Sequence, residues 1–303
     1  MPPADYERLL SRFEALLDRV EASLPDKQPP LAWDASIAFR WRKHEGRGSL
    51  RPVSRPHDIR LADLGGIDRQ KQLVEANTRQ FVAGRPANNV LLTGARGTGK
   101  SSLVKALLNE FAPSGLRLIE VDKNDLIDLP DIADLAALRK ERFIIFCDDL
   151  SFEASEAAYK SLKAVLDGSI AAPSENILIY ATSNRRHLMP EFMQENLEYR
   201  HVGEEIHPSE GSEEKISLSE RFGLWVSFYP FDQDRYLGIV DHWLAHFGSR
   251  SSEQAQAEAL RWALGRGSRS GRVAWQFARD WAGRNGAGAG RARHAAKSRK
   301  PRR

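Results

Sequence analysis

The sequence predicts an α/β fold in which helices cover both faces of a parallel sheet, followed by a small helical domain. Between about residues 60 and 230, five short apolar runs alternate with stretches of helical periodicity. This alternation indicates a parallel sheet, because each crossover helix packs onto a face of the sheet. From residue 232 onward the pattern is helical only, which predicts the separate helical domain.

The predicted strands share β-branched and aromatic residues and cover 89–92, 116–121, 143–147, 177–182 and 224–228. The predicted helices cover 101–111, 132–139, 156–166, 232–247, 252–264 and 271–282. Cys147, the single cysteine, ends the third strand. A lone cysteine excludes an internal disulfide framework, and we expect a buried core thiol there.

The first sixty residues are predicted to be an extension of the α/β domain. Apolar residues recur at helical spacing between residues 5 and 20, which predicts an amphipathic helix that packs on the protein's own body or, less commonly, on a partner. Residues 38–43 alternate like a strand, and 44–58 are predicted to form a loop. The predicted domains are an extension and linker at 1–60, an α/β domain at 61–230, a helical lid at 231–285 and a tail at 286–303.

The composition is that of an ordinary soluble globular protein, with 41% hydrophobic and 28% charged residues. No apolar run approaches the roughly 20 residues that span a bilayer. Asp5 and Glu7 lie where a signal peptide would need positive charge. These features predict a cytoplasmic protein that does not interact with membranes.

The basic residues are concentrated at the C-terminus. After Asp280 the chain has no acidic residue, and residues 283–303 contain eight Lys or Arg. This composition predicts a disordered basic tail over 286–303. The tail could bind nucleic acid through phosphate contacts, or it could only keep the protein soluble, and we favour the second interpretation.

A glycine-rich loop directly follows the first predicted strand. Residues 94–101 read GARGTGKS and fit the Walker A pattern G-x-x-x-x-G-K-S/T. In this motif backbone N–H groups and the next helix N-terminus face phosphate oxygens, Lys100 reaches the β- and γ-phosphates, and Ser101 Oγ binds Mg²⁺. The sequence therefore predicts an ATP and Mg²⁺ site that includes Gly94, Ala95, Arg96, Gly97, Thr98, Gly99, Lys100, Ser101 and Ser102.

Two carboxylates follow the predicted strand at 143–147 and resemble a Walker B motif. Asp148 lies 48 residues after Lys100 with one strand–helix unit between them, and buried parallel strands end at the ligand crevice. Asp148 would bind Mg²⁺, and Asp149 would polarise the attacking water. Paired aspartates after a strand can also form a turn or helix cap, and Glu153 is an alternative base.

Several long runs together resemble one bacterial AAA+ family of predicted ATPases, catalogued as a domain of unknown function. The runs are LGGIDRQ (64–70), GARGTGKSSLVKALLN (94–109), RFIIFCDDLSFE (142–153), YATSNRRHLMPE (180–191) and SERFGLWVSFYPFDQDRYL (219–237). The resemblance covers roughly residues 35–285. It implies a P-loop NTPase domain with a five-stranded parallel sheet in the order 5-1-4-3-2, a helical lid, and Mg²⁺-dependent hydrolysis of ATP.

The resemblance also suggests roles for polar residues outside the Walker motifs. Asn184 would be the sensor 1 residue that holds the attacking water, although a terminal Asn is also a common turn residue. Arg221 would be an arginine finger that reaches the γ-phosphate of a neighbouring subunit in a homo-oligomer, or it could be a surface ion-pair partner. Arg272 would be the sensor 2 arginine, with Arg269 as a poorer fit.

The LGGID stretch lies where AAA+ relatives contact the adenine. Leu64, Gly66 and Ile67 are therefore candidates for the base pocket, although the same residues could form a simple turn before a helix.

Three biological roles remain open at this point. The first is an ATPase that remodels or loads a macromolecular partner. The second is a nucleic-acid-associated ATPase similar to helicase loaders and replication initiators. Those relatives have Asp at the second acidic position of Walker B, where most AAA+ proteins have Glu, and this chain has Asp149 there. The third is a switch that binds ATP without hydrolysing it.

Overall fold

The computed structural model describes residues 6, 10–17, 19, 32–44, 46–150, 157–167, 174–184, 201–202, 205–206, 218 and 220–285. The chain divides into two compact units, residues 1–33 and 34–303. In the first unit, residues 10–17 are helical, which agrees with the periodicity of the sequence.

The strands of the second unit, within its described residues, are β1 (Ala38–His44), β2 (Arg47–Pro52), β3 (Val90–Gly94), β4 (Leu116–Val121), β5 (Arg142–Cys147), β6 (Ile177–Ser183), β7 (His201–Val202), β8 (Glu205–Ile206) and β9 (Leu224–Phe228). Its α-helices, over the same residues, are α1 (Asp68–Val82), α2 (Lys100–Phe111), α3 (Leu129–Ala137), α4 (Ala157–Asp167), α5 (Gln233–His246), α6 (Glu253–Gly265) and α7 (Gly271–Arg284).

The main sheet has seven strands in the order β2-β1-β4-β5-β6-β3-β9, and β7 pairs with β8 separately. The five parallel strands from β4 to β9 follow the predicted order 5-1-4-3-2. The predicted number of five strands is wrong for the whole sheet, because β1 adds to β4 in parallel and β2 adds to β1 antiparallel.

The prediction of a loop over 44–58 is also wrong, since β2 lies within it. Two adjacent residues of β2, Ser49 and Leu50, are buried, and the other four are exposed. This burial pattern lacks the alternation by which a strand is usually recognised.

The central strands are apolar because helices cover both faces of the sheet. In β5, every residue from Phe143 to Cys147 is buried, as expected for a strand in the middle of a parallel sheet. Cys147 is the buried thiol that the sequence predicted, and burial raises its pKa to about 12. No helix among the described residues is long and apolar enough to cross a membrane.

The final three helices form a small bundle beside the sheet. Tyr236 on α5 is fully buried and its hydroxyl donates to the carbonyl of Ala259 on α6 at 3.1 Å. Helix α7 begins after Ser270, whose Oγ accepts from the amide of Val273 at 3.3 Å. This N-cap fixes where α7 starts, and it does so next to the glycine-rich loop.

We predict that Gly48→Ala destabilises the protein by about 1–3 kcal/mol in urea unfolding. A Cβ at this position of β2 would lie 1.9 Å from the ring of Trp41 on β1, so the ring would have to move. Trp41 Nε1 also donates to Asp128 at 2.8 Å. The matched control is Gly238→Ala in α5, where a Cβ meets nothing within 4 Å and stability should rise by about 1 kcal/mol. Equal effects of the two substitutions would contradict this account.

Candidate functional site

A cleft of about 590 Å³ lies where β3, β5 and β6 end. Small-molecule sites commonly have volumes of about 300–1,000 Å³. Four parts of the chain line this cleft: the segment 57–67, the loop and the start of α2, the ends of β5 and β6, and the lid, through Phe231 and helices α5 and α7. The cleft therefore contacts both the sheet domain and the lid.

At two positions of the loop 94–101, positive φ and close neighbours require glycine. Gly94 has φ +123°, and a Cβ there would lie 1.9 Å from the carbonyl oxygen of Phe228 on β9. Gly97 occupies a position that the motif leaves free, but it has φ +74° and a Cβ would lie 2.8 Å from Ser270. The amide of Gly271 donates to the carbonyl of Gly97 at 2.9 Å. The start of lid helix α7 thus contacts the loop directly.

Lys100 lies at the centre of the cleft and is almost fully buried. Its Nζ donates to the carbonyls of Gly94 and Ala95, each at 2.8 Å, and to Asn184 Oδ1 at 3.0 Å. The ammonium group therefore has three polar acceptors, none of them a formal anion.

Burial lowers the pKa of Lys100 to about 8. Asp148 and Asp149 oppose this shift, and the nearby cations Arg96 and Arg272 add to it. A bound polyanion would stabilise the charged form of this desolvated ammonium.

Ser101 and Asp148 form a pair that fits Mg²⁺. Ser101 Oγ donates to Asp148 Oδ1 at 2.6 Å, and Thr182 Oγ1 donates to the same oxygen at 2.6 Å. Magnesium is usually bound by one or two carboxylates, substrate phosphates and waters rather than by a full protein cage. Hydroxyl and carboxylate oxygens beside the loop are therefore a suitable donor set.

Asp149 has an unusual backbone conformation. Its φ is +54°, and among the described residues it is the one non-glycine residue with positive φ. Its amide donates to Thr182 Oγ1 at 2.9 Å, and Asn184 Nδ2 donates to its Oδ1. Asp tolerates the left-handed region better than most residues, but such conformations usually require support from their surroundings and cluster at functional sites.

The far part of the cleft is more apolar. Leu64 and Ile67 line it, whereas Gly66 does not and instead packs on Phe231. Gly65 takes the position on the cleft wall. The assignment of Leu64 and Ile67 to a base pocket stays a prediction, and Gly66 lies in the turn between them with φ +76°.

The arginines predicted from the sequence have different positions. Arg272 lines the cleft, and Arg269 is exposed outside its lining. Arg221 is also outside the lining, and its Nε donates to Asp167 Oδ1 at 2.5 Å. Glu153 and the tail at 286–303 lie outside the described residues.

Several residues that sequence reasoning did not select also line the cleft: His57, Ile59, Asp63, Gly65, Lys105, Thr182, Phe231, Ile239, Trp243, Gly271 and Trp275. Only Thr182 carried a usable signal, a hydroxyl at the polar end of a buried strand. Trp243 and Trp275 lie on different lid helices, and no local pattern connects them. Asn109 on α2 holds His57 and Ile59 in place by donating to both of their carbonyls.

The strand order, the glycine-rich loop and the helical lid together define a P-loop NTPase of the AAA+ fold. Residues 34–285 match the family model described as "Protein of unknown function (DUF815)", and the chain belongs to this family. A solved structure of a RuvB variant from Thermotoga maritima aligns with a TM-score of 0.50 and 15% identity, over 73% of this chain and 63% of that one. This likeness supports the fold alone.

Curated relatives include 26S proteasome regulatory subunit 6B homologs. The one from Schizosaccharomyces pombe is 31% identical over 182 residues, which are 54% of this chain and 44% of the relative. The one from Aspergillus niger is 31% identical over 208 residues, 60% of this chain and 46% of the relative. The matches thus span less than half the length of these relatives.

Proposed function

We propose that this protein binds ATP with Mg²⁺ in the cleft and hydrolyses it to ADP and phosphate. The observation that carries the proposal is the meeting of three groups in one cleft: the buried Lys100, the Ser101–Asp148 pair and the Asp149–Asn184 pair. A phosphate-binding cation, a magnesium ligand set and a carboxylate near an amide are the parts that phosphoryl transfer to water requires.

The loop and Lys100 would hold the β- and γ-phosphates. Lys100 now donates to the carbonyls of Gly94 and Ala95 and to Asn184, and phosphate oxygens would offer it an anionic acceptor. Mg²⁺, bound through Ser101 and Asp148, would neutralise charge on the β- and γ-phosphate oxygens. Arg272, which lines the same cleft, would add positive charge from the lid.

Asp149 would accept a hydrogen bond from the attacking water, and Asn184 would orient that water. As the water oxygen bonds to the γ-phosphorus, the bond to the β–γ bridging oxygen breaks and ADP leaves with that electron pair. One water proton passes to Asp149 or to the phosphoryl group, and the other stays on the inorganic phosphate that forms. Asn184 contacts both Lys100 and Asp149, so it is placed to respond to both the phosphate and the base.

A homo-oligomer of the protein would use the free energy of ATP hydrolysis to remodel or load a macromolecular partner. Arg221 lies outside the cleft of its own chain, a position that suits a finger acting on a neighbour and also suits a surface ion-pair partner. A role on nucleic acid is the second candidate, favoured by the seven Lys or Arg residues of the tail at 286–303. A switch that binds ATP without turnover is the outcome if hydrolysis is absent.

We predict that ATP affinity falls by roughly tenfold between pH 7 and pH 9. The pKa of Lys100 is about 8 before ATP binds, so the ammonium is present below that pH and is lost above it. Bound phosphates favour the charged form, and binding therefore weakens as pH rises. Isothermal titration with ATP measures this effect, and adenosine, which has no phosphates, is the control that should show no such trend. An affinity for ATP that is constant from pH 7 to 9 would contradict the assigned role of Lys100.

We predict that Asp149→Asn retains ATP binding and lowers kcat by about 10²–10⁴-fold, the usual contribution of a general base. Asn keeps the size of the side chain, and Asp148 remains available for Mg²⁺. Phosphate release measures turnover, and a fluorescent ATP analogue measures binding. Normal turnover in Asp149→Asn together with loss of turnover in Glu153→Gln would identify Glu153 as the base.

We predict that Arg221→Ala binds ATP normally but hydrolyses it poorly, because an arginine finger contributes about 10³–10⁵-fold in related GTPases. The specific ATPase activity of the wild-type protein should rise with protein concentration as subunits associate. Mixing Arg221→Ala with Lys100→Ala should restore part of this activity, since Lys100→Ala subunits still offer an intact Arg221.

Asp167→Asn is the matched control for this prediction. It removes the ion-pair partner of Arg221 but leaves the arginine, so activity should persist. If Arg221 serves only that local ion pair, both variants should lose stability alike, activity should not depend on concentration, and mixing should restore nothing.

A further inference from the structure

We propose that Thr182 is a positioning residue for both carboxylates of the site, and that through Asp148 it controls how strongly Mg²⁺ and ATP promote each other's binding. This inference rests on the proposed function and deepens it, because it assigns a role to a residue that acts through Asp148 and Asp149. Thr182 lies near the end of β6 and is 2% exposed.

The hydroxyl of Thr182 bonds to two consecutive residues, Asp148 and Asp149. It donates to Asp148 Oδ1 at 2.6 Å and accepts from the amide of Asp149 at 2.9 Å. A hydroxyl has one proton to donate, and here that proton goes to a carboxylate. Such charge-assisted hydrogen bonds are short and strong.

Thr182 and the proposed metal ligand Ser101 both donate to Asp148. Ser101 on α2 donates to the same Oδ1 at 2.6 Å, so this oxygen is held between the helix and β6. The orientation of Asp148 is therefore set in advance, as outer contacts of metal ligands commonly do.

Thr182 also fixes the turn that carries Asp149. The amide of Asp149 donates to its hydroxyl, and the amide of Leu150 donates to its carbonyl at 2.7 Å. These two bonds hold the chain as it leaves β5 in the conformation with φ +54° at Asp149. In that conformation Asp149 accepts from Asn184, two residues beyond Thr182.

The test compares Thr182→Val with Thr182→Ser. Valine keeps the shape and removes the hydroxyl, whereas serine keeps the hydroxyl. ATP affinity is measured by titration calorimetry in Mg²⁺ and in EDTA, and the ratio of the two affinities is the Mg²⁺ coupling. In Thr182→Val we expect unchanged affinity in EDTA, a Mg²⁺ coupling about 10–100-fold smaller, and a similar fall in kcat. Thr182→Ser should behave like the wild type.

Thr78→Val is the control for loss of a buried hydroxyl. Thr78 on α1 is fully buried and bonds to the carbonyl of Val74 and to Tyr180, away from the cleft. This variant should melt earlier without changing the Mg²⁺ coupling. If Thr182→Val does not fold, Thr182→Ala and Thr182→Ser, which differ by the hydroxyl alone, take its place.

Wild-type Mg²⁺ coupling and kcat in Thr182→Val, or equal coupling in Thr182→Ala and Thr182→Ser, would overturn the inference while leaving the proposed function intact. Failure of the wild-type protein to bind ATP would instead overturn the proposed function, and the inference with it.

Discussion

The position of β6 between β3 and β5 is the constraint on which the cleft depends. Parallel pairing aligns Val90–Thr93 with Tyr180–Ser183 on one side and Phe143–Cys147 with Ile177–Ala181 on the other. The loop after β3, the carboxylates after β5 and the polar end of β6 must therefore meet at one edge of the sheet. β6 and the residue after it hold the carboxylates from the sheet side: Thr182 contacts Asp148 and Asp149, and Asn184 contacts Asp149. A change of strand order would separate these groups even if every motif were kept.

The helical lid forms part of the cleft wall, together with the edge of the sheet. Its helix α7 contacts the loop through the Gly271–Gly97 hydrogen bond and brings Arg272 to the cleft. Burial is the largest cause of the low pKa of Lys100; Asp148 and Asp149 oppose it, and Arg96 and Arg272 add to it. The two arginines that disfavour a charged lysine would favour a bound polyphosphate there.

Local patterns predicted the parts of the fold that local chemistry determines. The parallel strands and their order followed from apolar runs and the AAA+ resemblance, and loop 94–101 from its glycines. The hairpin partner β2 was missed because Gly46 and Gly48 resemble a loop and only Ser49 and Leu50 are buried. Contacts between residues far apart in the sequence could not be predicted from local patterns either: Arg221 pairs with Asp167, 54 residues away. The roles of Asp149, Asn184 and Arg221 stay predictions, because they concern the rate of hydrolysis and the structure gives positions.

The central claim is that the loop and Lys100 form a site for ATP. Titration calorimetry of the full chain with ATP and Mg²⁺ at pH 7, beside the same titration of Lys100→Ala, tests it most directly. Lys100 is the buried cation of the loop and contacts its carbonyls, so we expect wild-type protein to bind one ATP per chain and Lys100→Ala to bind none, with both variants folded by circular dichroism. Equal affinities in the two proteins would contradict the account.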